Sequence, residues 1–382
     1  MVRYFRWTLA IGLLLTSLSA GQSSARSAGA STAALCAAYN QLTIGQERVS
    51  PTPPQGFDPV TASDADLNCF GFPSRPAAGS QGLATWTWFM QHAKVRAQNI
   101  DGPPLQYNFA ASNSVPRARS AMNNIGNLSP AVWAGYVATP NTAVAASPPY
   151  PAFPAFPAFG AASLAWKVQP GQTGDNHQLG VWAGTGGVNA GEPLLQAGVE
   201  TLDGPRPSYY FFYEILDPAT GCCKPVPKFD IPIGAGDKAF VQVEFQPQYQ
   251  NAKFFVENGT TGKYLPYNVP AKNSGTGTAE WVFEDADATS CAFAHNNCFL
   301  KTYPRTPFES PEAYTQCYNG ACPGSGYYLG NLSSFNLLRP FMGGEVSKGV
   351  TVSFAQPTSP IGSYPPFCVY PTASGDASCN DG

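Results

Sequence analysis

The sequence predicts an all-β protein whose antiparallel strands form a sandwich or a barrel, preceded by a small N-terminal extension. Glycine (38 residues), proline (37 residues) and aromatic side chains (13%) are abundant, which is typical of short strands joined by many turns. From residue 132 onward, short apolar runs alternate with turn residues at a spacing that suits an antiparallel sheet. Charged residues make up only 12% of the chain.

The candidate strands follow one another at short intervals. They are predicted at residues 132–137, 163–168, 180–184, 194–200, 209–215, 229–233, 239–245, 252–257, 280–284 and 350–354. The stretch VENGTTGKYL predicts a hairpin, with Asn258, Gly259 and Gly262 in the turn. The insertion PPYPAFPAFPAFG repeats Pro-Ala-Phe three times, and its prolines exclude a central strand, so we predict an extended loop there.

The N-terminus resembles a secretory signal peptide, assigned to residues 1–20. Arg3 and Arg6 precede a short apolar stretch, and small residues that suit cleavage follow it. No segment is apolar over the roughly 20 residues that a membrane-spanning helix needs. We therefore predict a secreted protein, extracellular or periplasmic, in an environment that favours disulfides. Its ten cysteines lie at positions 36, 69, 222, 223, 291, 298, 317, 322, 368 and 379, and sequence alone leaves their pairing open.

The composition divides the chain into four parts. Residues 21–125 form an N-terminal extension with a predicted helix over 83–95, and this extension is either a removable pro-segment or a permanent small lobe. Residues 126–355 form the β-domain, and residues 356–382 form a cysteine-containing tail. Arg117 and Arg119 lie among small residues, where a processing protease could enter.

Several kinds of function are disfavoured by what the sequence lacks. The net charge is -3, and no basic run points to nucleic acid. The signatures of serine hydrolases, zinc peptidases, phosphate-binding loops and aspartic peptidases are missing. Three scattered histidines do not form a metal-ligand pattern. Carboxylate chemistry without metal or cofactor is what remains.

The stretch AEWVFED (279–285) places two carboxylates on one face of a predicted strand. Because side chains alternate along a strand, Glu280 and Glu284 share a face, while Trp281 and Phe283 point to the core on the other. One interpretation is a carbohydrate-binding or glucan-cleaving protein, since glycosidases use paired carboxylates. Val282 stands where laminarinase-type strands carry a third carboxylate, which weakens that interpretation.

Seven segments in order resemble the eqolisin family, the glutamic peptidases. They are VWAGYV (132–137), VWAGTGG (181–187), LLQAGVE (194–200), YYFFYEILDP (209–218), FDIPIGAGDKAFVQV (229–243), FFVENGTTGKY (254–264) and AEWVFED (279–285). The resemblance implies an antiparallel β-sandwich of two packed sheets, similar to concanavalin A-like lectins and glucanases. It also implies an acid-acting endopeptidase that cleaves proteins or peptides, and we expect it to be monomeric.

The resemblance assigns a catalytic glutamine to Gln196 and a catalytic glutamate to Glu284. An ionised glutamate can accept a proton from the attacking water and return it to the leaving nitrogen. An amide can hold that water and stabilise the oxyanion without adding a second negative charge. The residues expected to bind substrate or support the pair are Trp133, Trp182, Glu214 and Glu280. Glu280 is expected at the rim or as a supporting residue, and the two tryptophans either bind substrate near the cleft or are plain core residues.

Two departures from the family pattern affect the expected activity. The family's aspartate in the segment Trp-x-Gly-Ile-Asp-Gly is replaced by Gly186, and its Trp-Tyr pair is replaced by Ile215 and Leu216. A catalytically inactive homologue with a structural or adhesive role is therefore a second alternative, beside the carbohydrate interpretation.

Overall fold

The computed structural model describes the parts of the chain that carry most of the regular structure. These are residues 32–40, 50–76, 78, 82–97, 133–139, 159–171, 178–187, 192–217, 231–246, 250–271, 277–285, 306–315, 326–328, 336–338, 355–357 and 367–371. The predicted signal peptide, the Pro-Ala-Phe repeats up to residue 158, and Arg117 and Arg119 lie outside them. No helix among the described residues is long and apolar enough to cross a bilayer.

The strands form two sheets, as predicted for a sandwich. The six-stranded sheet has the order β14-β2-β10-β4-β5-β6. Its strands are β2 (Trp133–Thr139), β4 (Gln178–Gly186), β5 (Leu194–Leu202), β6 (Ser208–Leu216), β10 (Ala279–Asp285) and β14 (Asn336–Leu338). The neighbours in this sheet pair antiparallel.

The second sheet has ten strands and is ordered β1-β9-β8-β7-β3-β11-β16-β15, with β12 paired to β3 and β13 to β12. Its strands are β1 (Val95–Arg96), β3 (Phe159–Lys167), β7 (Lys238–Gln246), β8 (Asn251–Asn258), β9 (Lys263–Pro270), β11 (Thr306–Phe308), β12 (Glu312–Thr315), β13 (Gly326–Tyr328), β15 (Ala355–Pro357) and β16 (Phe367–Pro371). The C-terminal stretch 356–382 thus contributes β16 to this sheet.

The main core lies between the two sheets and follows the alternation of side chains along each strand. On β10, Trp281 and Phe283 enter this core, as predicted, and the Trp281 indole donates to the carbonyl oxygen of Ser163 on β3 at 2.9 Å. On the facing sheet, β7 contributes Val241 and Val243. Because alternate residues point inward, the intervening residues of the six-stranded sheet form a second face.

In the described residues, three helices and a short strand precede β2. The helices are α1 (Thr32–Asn40), α2 (Asp64–Phe70) and α3 (Gly82–His92). Helix α2 begins at a serine cap, because the Ser63 side chain accepts a hydrogen bond from the Asp66 N–H, and it ends at Gly71, whose φ of 79° suits glycine. A disulfide between Cys36 and Cys69 joins α1 to α2.

Most predicted strands are present, and three predictions need comment. The helix predicted over 83–95 ends at His92, and Val95 begins strand β1 instead. The strand predicted at 229–233 is wrong for residues 231–233, which have no regular structure. The strand predicted at 350–354 lies outside the described residues.

The predicted hairpin joins β8 to β9. The Asn258 side chain accepts from the N–H groups of Thr260 and Thr261, and Gly262 has a φ of 69°, which favours glycine. A β-carbon at Gly262 would lie 2.3 Å from the carbonyl oxygen of His92. The turn therefore requires glycine for its conformation and for its contact with the end of α3.

Candidate active site

The side of the six-stranded sheet that faces away from the main core carries a concentration of polar side chains. We call it the polar face. Its central residues are Glu280, Val282 and Glu284 on β10, Gly180, Trp182 and Gly184 on β4, Gln196, Gly198 and Glu200 on β5, and Phe212 and Glu214 on β6. Alternation places all of them opposite the residues that fill the core.

The strand register aligns these residues in rows across the sheet. Glu280 pairs with Gly184, which pairs with Gln196, which in turn pairs with Glu214. A second row, four residues away along the strands, runs from Glu284 through Gly180 to Glu200. Four residues of strand span about 13 Å, so the two predicted catalytic side chains lie on one face with a gap between their backbones.

Glu284 is the partly exposed carboxylate of this group, and Trp182 holds it. The indole Nε1–H of Trp182 donates to Glu284 Oε2 at 2.7 Å. A hydrogen bond to a carboxylate is a strong one, so the indole restricts where this carboxylate points. One carboxyl oxygen of Glu284 is therefore positioned by Trp182, a residue 102 positions earlier in the chain.

Glycines on β4 and β5 make room for the Trp182 ring. A β-carbon at Gly184 would lie 2.9 Å from indole Cζ3, and one at Gly180 would lie 3.4 Å from Cδ1. The ring therefore lies along its own strand, with its nitrogen end towards Glu284. A β-carbon at Gly198 would lie 2.6 Å from Trp182 Cβ and 2.2 Å from the Val181 carbonyl oxygen. Glycine is therefore required at positions 184 and 198, whereas a β-carbon at Gly180 would make an ordinary contact with the ring.

Trp182 was predicted either as a substrate-binding ring near the cleft or as a core tryptophan. Its side chain is completely buried. The reason is that Gly180 and Gly184, which flank Trp182 on the same face of β4, have no side chains, so the ring can lie flat against the strand. In this structure it donates a hydrogen bond to Glu284.

Gln196 and Glu214 form a buried pair beside this carboxylate. Gln196 Nε2 donates to Glu214 Oε2 at 2.6 Å, and the two side chains are 4% and 6% exposed. The amide has two N–H donors, so one remains for another partner. Its oxygen Oε1 is buried and accepts no hydrogen bond from the described residues.

The Glu214 carboxyl holds its proton more tightly than an ordinary glutamate. Its pKa is raised from 4.5 to about 7, chiefly by burial and in addition by the negative charge of Glu284, while the hydrogen bond from Gln196 acts in the opposite direction. At acid pH, Glu214 is neutral, so Glu284 does not face a second charge there.

Glu280, predicted as a rim or supporting residue, does not lie at the rim. Its side chain is completely buried, and neither carboxyl oxygen has a hydrogen-bond partner in the described part of the chain. Burial raises its pKa well above the usual range; the nearby Thr278 hydroxyl acts against that rise, and Glu192 adds to it. Sharing a face with Glu284 did not imply sharing its exposure, because β10 is covered more deeply at this end.

The remaining site positions are less fully described. Trp133 on β2 pairs in register with Glu284 on β10. Glu200 is a polar-face residue that we did not select from the sequence. It is 4% exposed and follows Gln196 by four residues, so the alternation within LLQAGVE could have identified it.

Gly186 and Gly187 explain one departure from the expected motif. Their φ values of 83° and 81° lie in the region that favours glycine. A β-carbon at Gly187 would also lie 2.6 Å from Leu194 Cβ. An aspartate at Gly186 would be strained in this backbone. The turn after β4 therefore has a conformation that favours glycine in place of the family's aspartate.

The arrangement can support hydrolysis by acid–base chemistry. It provides a partly exposed carboxylate fixed by an indole, an amide with a free N–H and a free oxygen, and a neutral carboxyl at acid pH. Among the described residues, no group of three or more His, Cys, Asp and Glu side chains is arranged as a metal site. That no cofactor is needed remains a prediction.

Part of this sandwich matches a known protein family. Residues 132–317 match the Peptidase A4 family, which confirms the eqolisin resemblance. No curated protein matches the sequence significantly.

Among solved structures, scytalido-glutamic peptidase with a transition state analog inhibitor is similar at 16% identity and a TM-score of 0.42, covering 62% of this chain and 97% of that one. SCP-B, a member of the eqolisin family in complex with the tripeptide Ala-Ile-His, has 15% identity, a TM-score of 0.38 and coverages of 62% and 97%. The aspergilloglutamic peptidase from Aspergillus niger has 23% identity, a TM-score of 0.35 and coverages of 51% and 98%.

Proposed function

We propose that the protein is a secreted, acid-acting endopeptidase with Gln196 and Glu284 as its catalytic pair. The premise is that residues 132–317 belong to the Peptidase A4, or eqolisin, family of peptide-bond hydrolases. The observation that carries the proposal is the polar face itself. It combines a partly exposed carboxylate held by Trp182 with an amide held by Glu214. Protein or peptide chains are the proposed substrates.

In the proposed reaction, ionised Glu284 removes a proton from water as the water oxygen attacks the carbonyl carbon of the peptide bond. The electron pair of the C=O bond moves to the oxygen, and the N–H of Gln196 that Glu214 does not use stabilises this oxyanion. Protonated Glu284 then gives its proton to the leaving nitrogen as the C–N bond breaks. The products are a carboxyl and an amine, and Glu284 is ionised again.

The proposed activity at acid pH follows from the ionisation of two carboxyl groups, Glu284 and Glu214. A carboxylate base must be ionised, and a glutamate in model peptides has a pKa of about 4.3, so activity should persist well into acid. Glu214 is neutral until the pH approaches its pKa of about 7. Above that pH, a second negative charge appears beside Glu284 and attracts the Gln196 amide, so we expect turnover to decline.

The carbohydrate-binding or glucan-cleaving function and the inactive homologue are less well supported. A glycosidase would use Glu280 and Glu284 as its carboxyl pair, yet Glu280 is completely buried. An inactive homologue is distinguished by experiment, because it would fold and show no turnover at any pH. The turn at Gly186 and Gly187 accounts for the missing aspartate as a change in backbone geometry.

The test compares two identical substitutions on one strand. Glu284→Gln keeps the shape and removes the base, so it should abolish cleavage of a denatured protein at acid pH. Glu280→Gln is the matched control. It should reduce turnover far less, because the Glu280 carboxyl is completely buried and does not face the solvent from which the attacking water comes. Gln196→Ala removes the oxyanion donor, for which losses of about 10² to 10³ in rate are expected.

Circular dichroism and thermal unfolding establish that each variant is folded, and a chelator in the wild-type assay tests the need for a metal. A folded Glu284→Gln variant that cleaves at the wild-type rate would overturn the assignment. The mass and N-terminal sequence of the exported protein test secretion, and an intact Met1 would contradict it.

A further inference from the structure

The N-terminal residues 50–97, which we call the lobe, are packed against the outer side of the ten-stranded sheet. Side chains of the lobe form a second apolar cluster with that sheet, distinct from the core between the sheets. The lobe contributes Leu67, Phe70, Phe72, Trp86, Phe89 and Met90, and the sheet contributes Ala165, Phe240, Phe255 and Tyr264. All of these side chains are buried.

Aromatic rings make the closest contacts of this cluster. The Phe72 ring lies 5.1 Å from the Tyr264 ring and 5.9 Å from the Phe255 ring, and the Phe89 ring lies 5.1 Å from the Phe240 ring. These spacings are typical of rings packed in a protein core. The interface therefore resembles a core more than a surface on which a removable segment rests.

A buried ion pair lies under the lobe. Lys253 Nζ is 2.6 Å from Glu244 Oε2, and each side chain is 2% exposed. The lobe completes the hydrogen bonding of the pair, since Lys253 donates to the Phe72 carbonyl oxygen at 3.3 Å and Ser74 donates to Glu244 at 3.4 Å. Buried charges need such partners. The lobe therefore supplies hydrogen-bond partners for two charged side chains of the sheet, Lys253 and Glu244.

The lobe also extends the sheet. Strand β1 pairs parallel with β9, and the N–H groups of Lys94 and Val95 both donate to the Gly262 carbonyl oxygen. The Arg96 guanidinium donates to the carbonyl oxygens of Ser50 and Pro51, which ties the strand to the beginning of the lobe. The exposed backbone of an edge strand is thereby covered.

Close approaches show that the two surfaces are shaped for each other. A β-carbon at Gly259 in the hairpin would lie 2.6 Å from atoms of both Trp88 and Phe89. A β-carbon at Gly82, where α3 begins, would clash with the Glu312 carboxyl. Neither contact leaves room for a different side chain.

We propose that the lobe is a permanent part of the active protein and not a pro-segment that must be removed. Every lobe contact given above falls on the ten-stranded sheet or on its hairpin, whereas the candidate active site lies on the polar face of the other sheet. The lobe is therefore placed to cover and stabilise the domain, and not to block the site. This inference goes beyond the proposed function, since it concerns which residues the mature protein keeps.

The test cuts the full chain without removing anything. A recognition sequence for a specific protease is inserted after Ser112, and the purified protein is cleaved and passed over a size-exclusion column at acid pH. We expect both fragments to elute together and to separate only in denaturant. Release of a soluble lobe fragment that leaves a folded remainder would overturn the proposal.

A pair of phenylalanine variants tests whether the observed contacts hold the lobe. Phe72→Ala removes a ring that touches the sheet, while Phe57→Ala removes one that packs on Phe70 and Phe72 within the lobe. In the cleaved protein, Phe72→Ala should release the lobe at a lower denaturant concentration than Phe57→Ala does. Equal release would count against this interface. Because elution is measured, these outcomes do not depend on whether the protein is a peptidase.

Discussion

Raising the pH from 4.5 to 8 should destabilise the folded protein, because buried carboxyls would have to ionise. Burial is the main cause that raises the pKa of Glu214 and of Glu312 from 4.5 to about 7. Burial also raises the pKa of Glu257 and Glu280 well above the usual range. The folded state therefore binds protons that the unfolded chain has already released at neutral pH.

The sign and size follow from linkage. A carboxyl whose pKa is higher in the folded state contributes its full stability below pH 4.5, and this contribution is lost as the pH rises through about 7. The difference corresponds to about 3 kcal/mol for each of Glu214 and Glu312, at about 1.4 kcal/mol per pH unit. Together they amount to about 6 kcal/mol, which is comparable to the whole stability of many domains.

Urea unfolding at pH 4.5 and pH 8 measures this difference, and Glu312→Gln isolates one part of it. Glutamine keeps the size of the side chain but cannot ionise, so the variant should lose about 3 kcal/mol less than the wild type over this range. The same substitution at the partly exposed neighbour, Glu309→Gln, is the control, and Glu312→Gln should reduce the pH dependence more than this control does. A wild-type protein that is equally stable at both pH values would refute the reasoning.

Two further predictions concern the polar face. Trp182→Phe keeps an aromatic ring but removes the donor to Glu284, so kcat on a peptide substrate should fall about 10-fold or more with the fold intact, as expected for a lost hydrogen bond to a charged group; an unchanged kcat would show that the indole does not position the carboxylate. Gly198→Ala should lower the melting temperature and the activity, because the new β-carbon would lie 2.2 Å from the Val181 carbonyl oxygen. Gly234→Ala is its control, since a β-carbon there meets nothing within 4 Å, and equal melting of the two variants would contradict this account.

The periodicity of the sequence determined which side chains share a face. In AEWVFED, the alternation predicted that Trp281 and Phe283 enter the core, and both do. The hairpin was likewise predictable, because asparagine and glycine encode its turn locally. The family segments indicated where the polar face lies, and the structure brings Gln196 into register with Glu214.

Burial depth and side-chain partners were decided by the tertiary structure. Glu280 and Glu284 are equivalent in the alternation, yet one is completely buried and the other partly exposed. The donor to Glu284 comes from a residue 102 positions away, and it reaches the carboxylate only because glycines on β4 and β5 let its ring lie flat. The packing of the lobe on the far side of the sandwich depends in the same way on contacts between distant segments, such as Phe72 with Tyr264. Alternation is a property of neighbouring residues and can be read along the chain, whereas burial and register arise when distant strands meet.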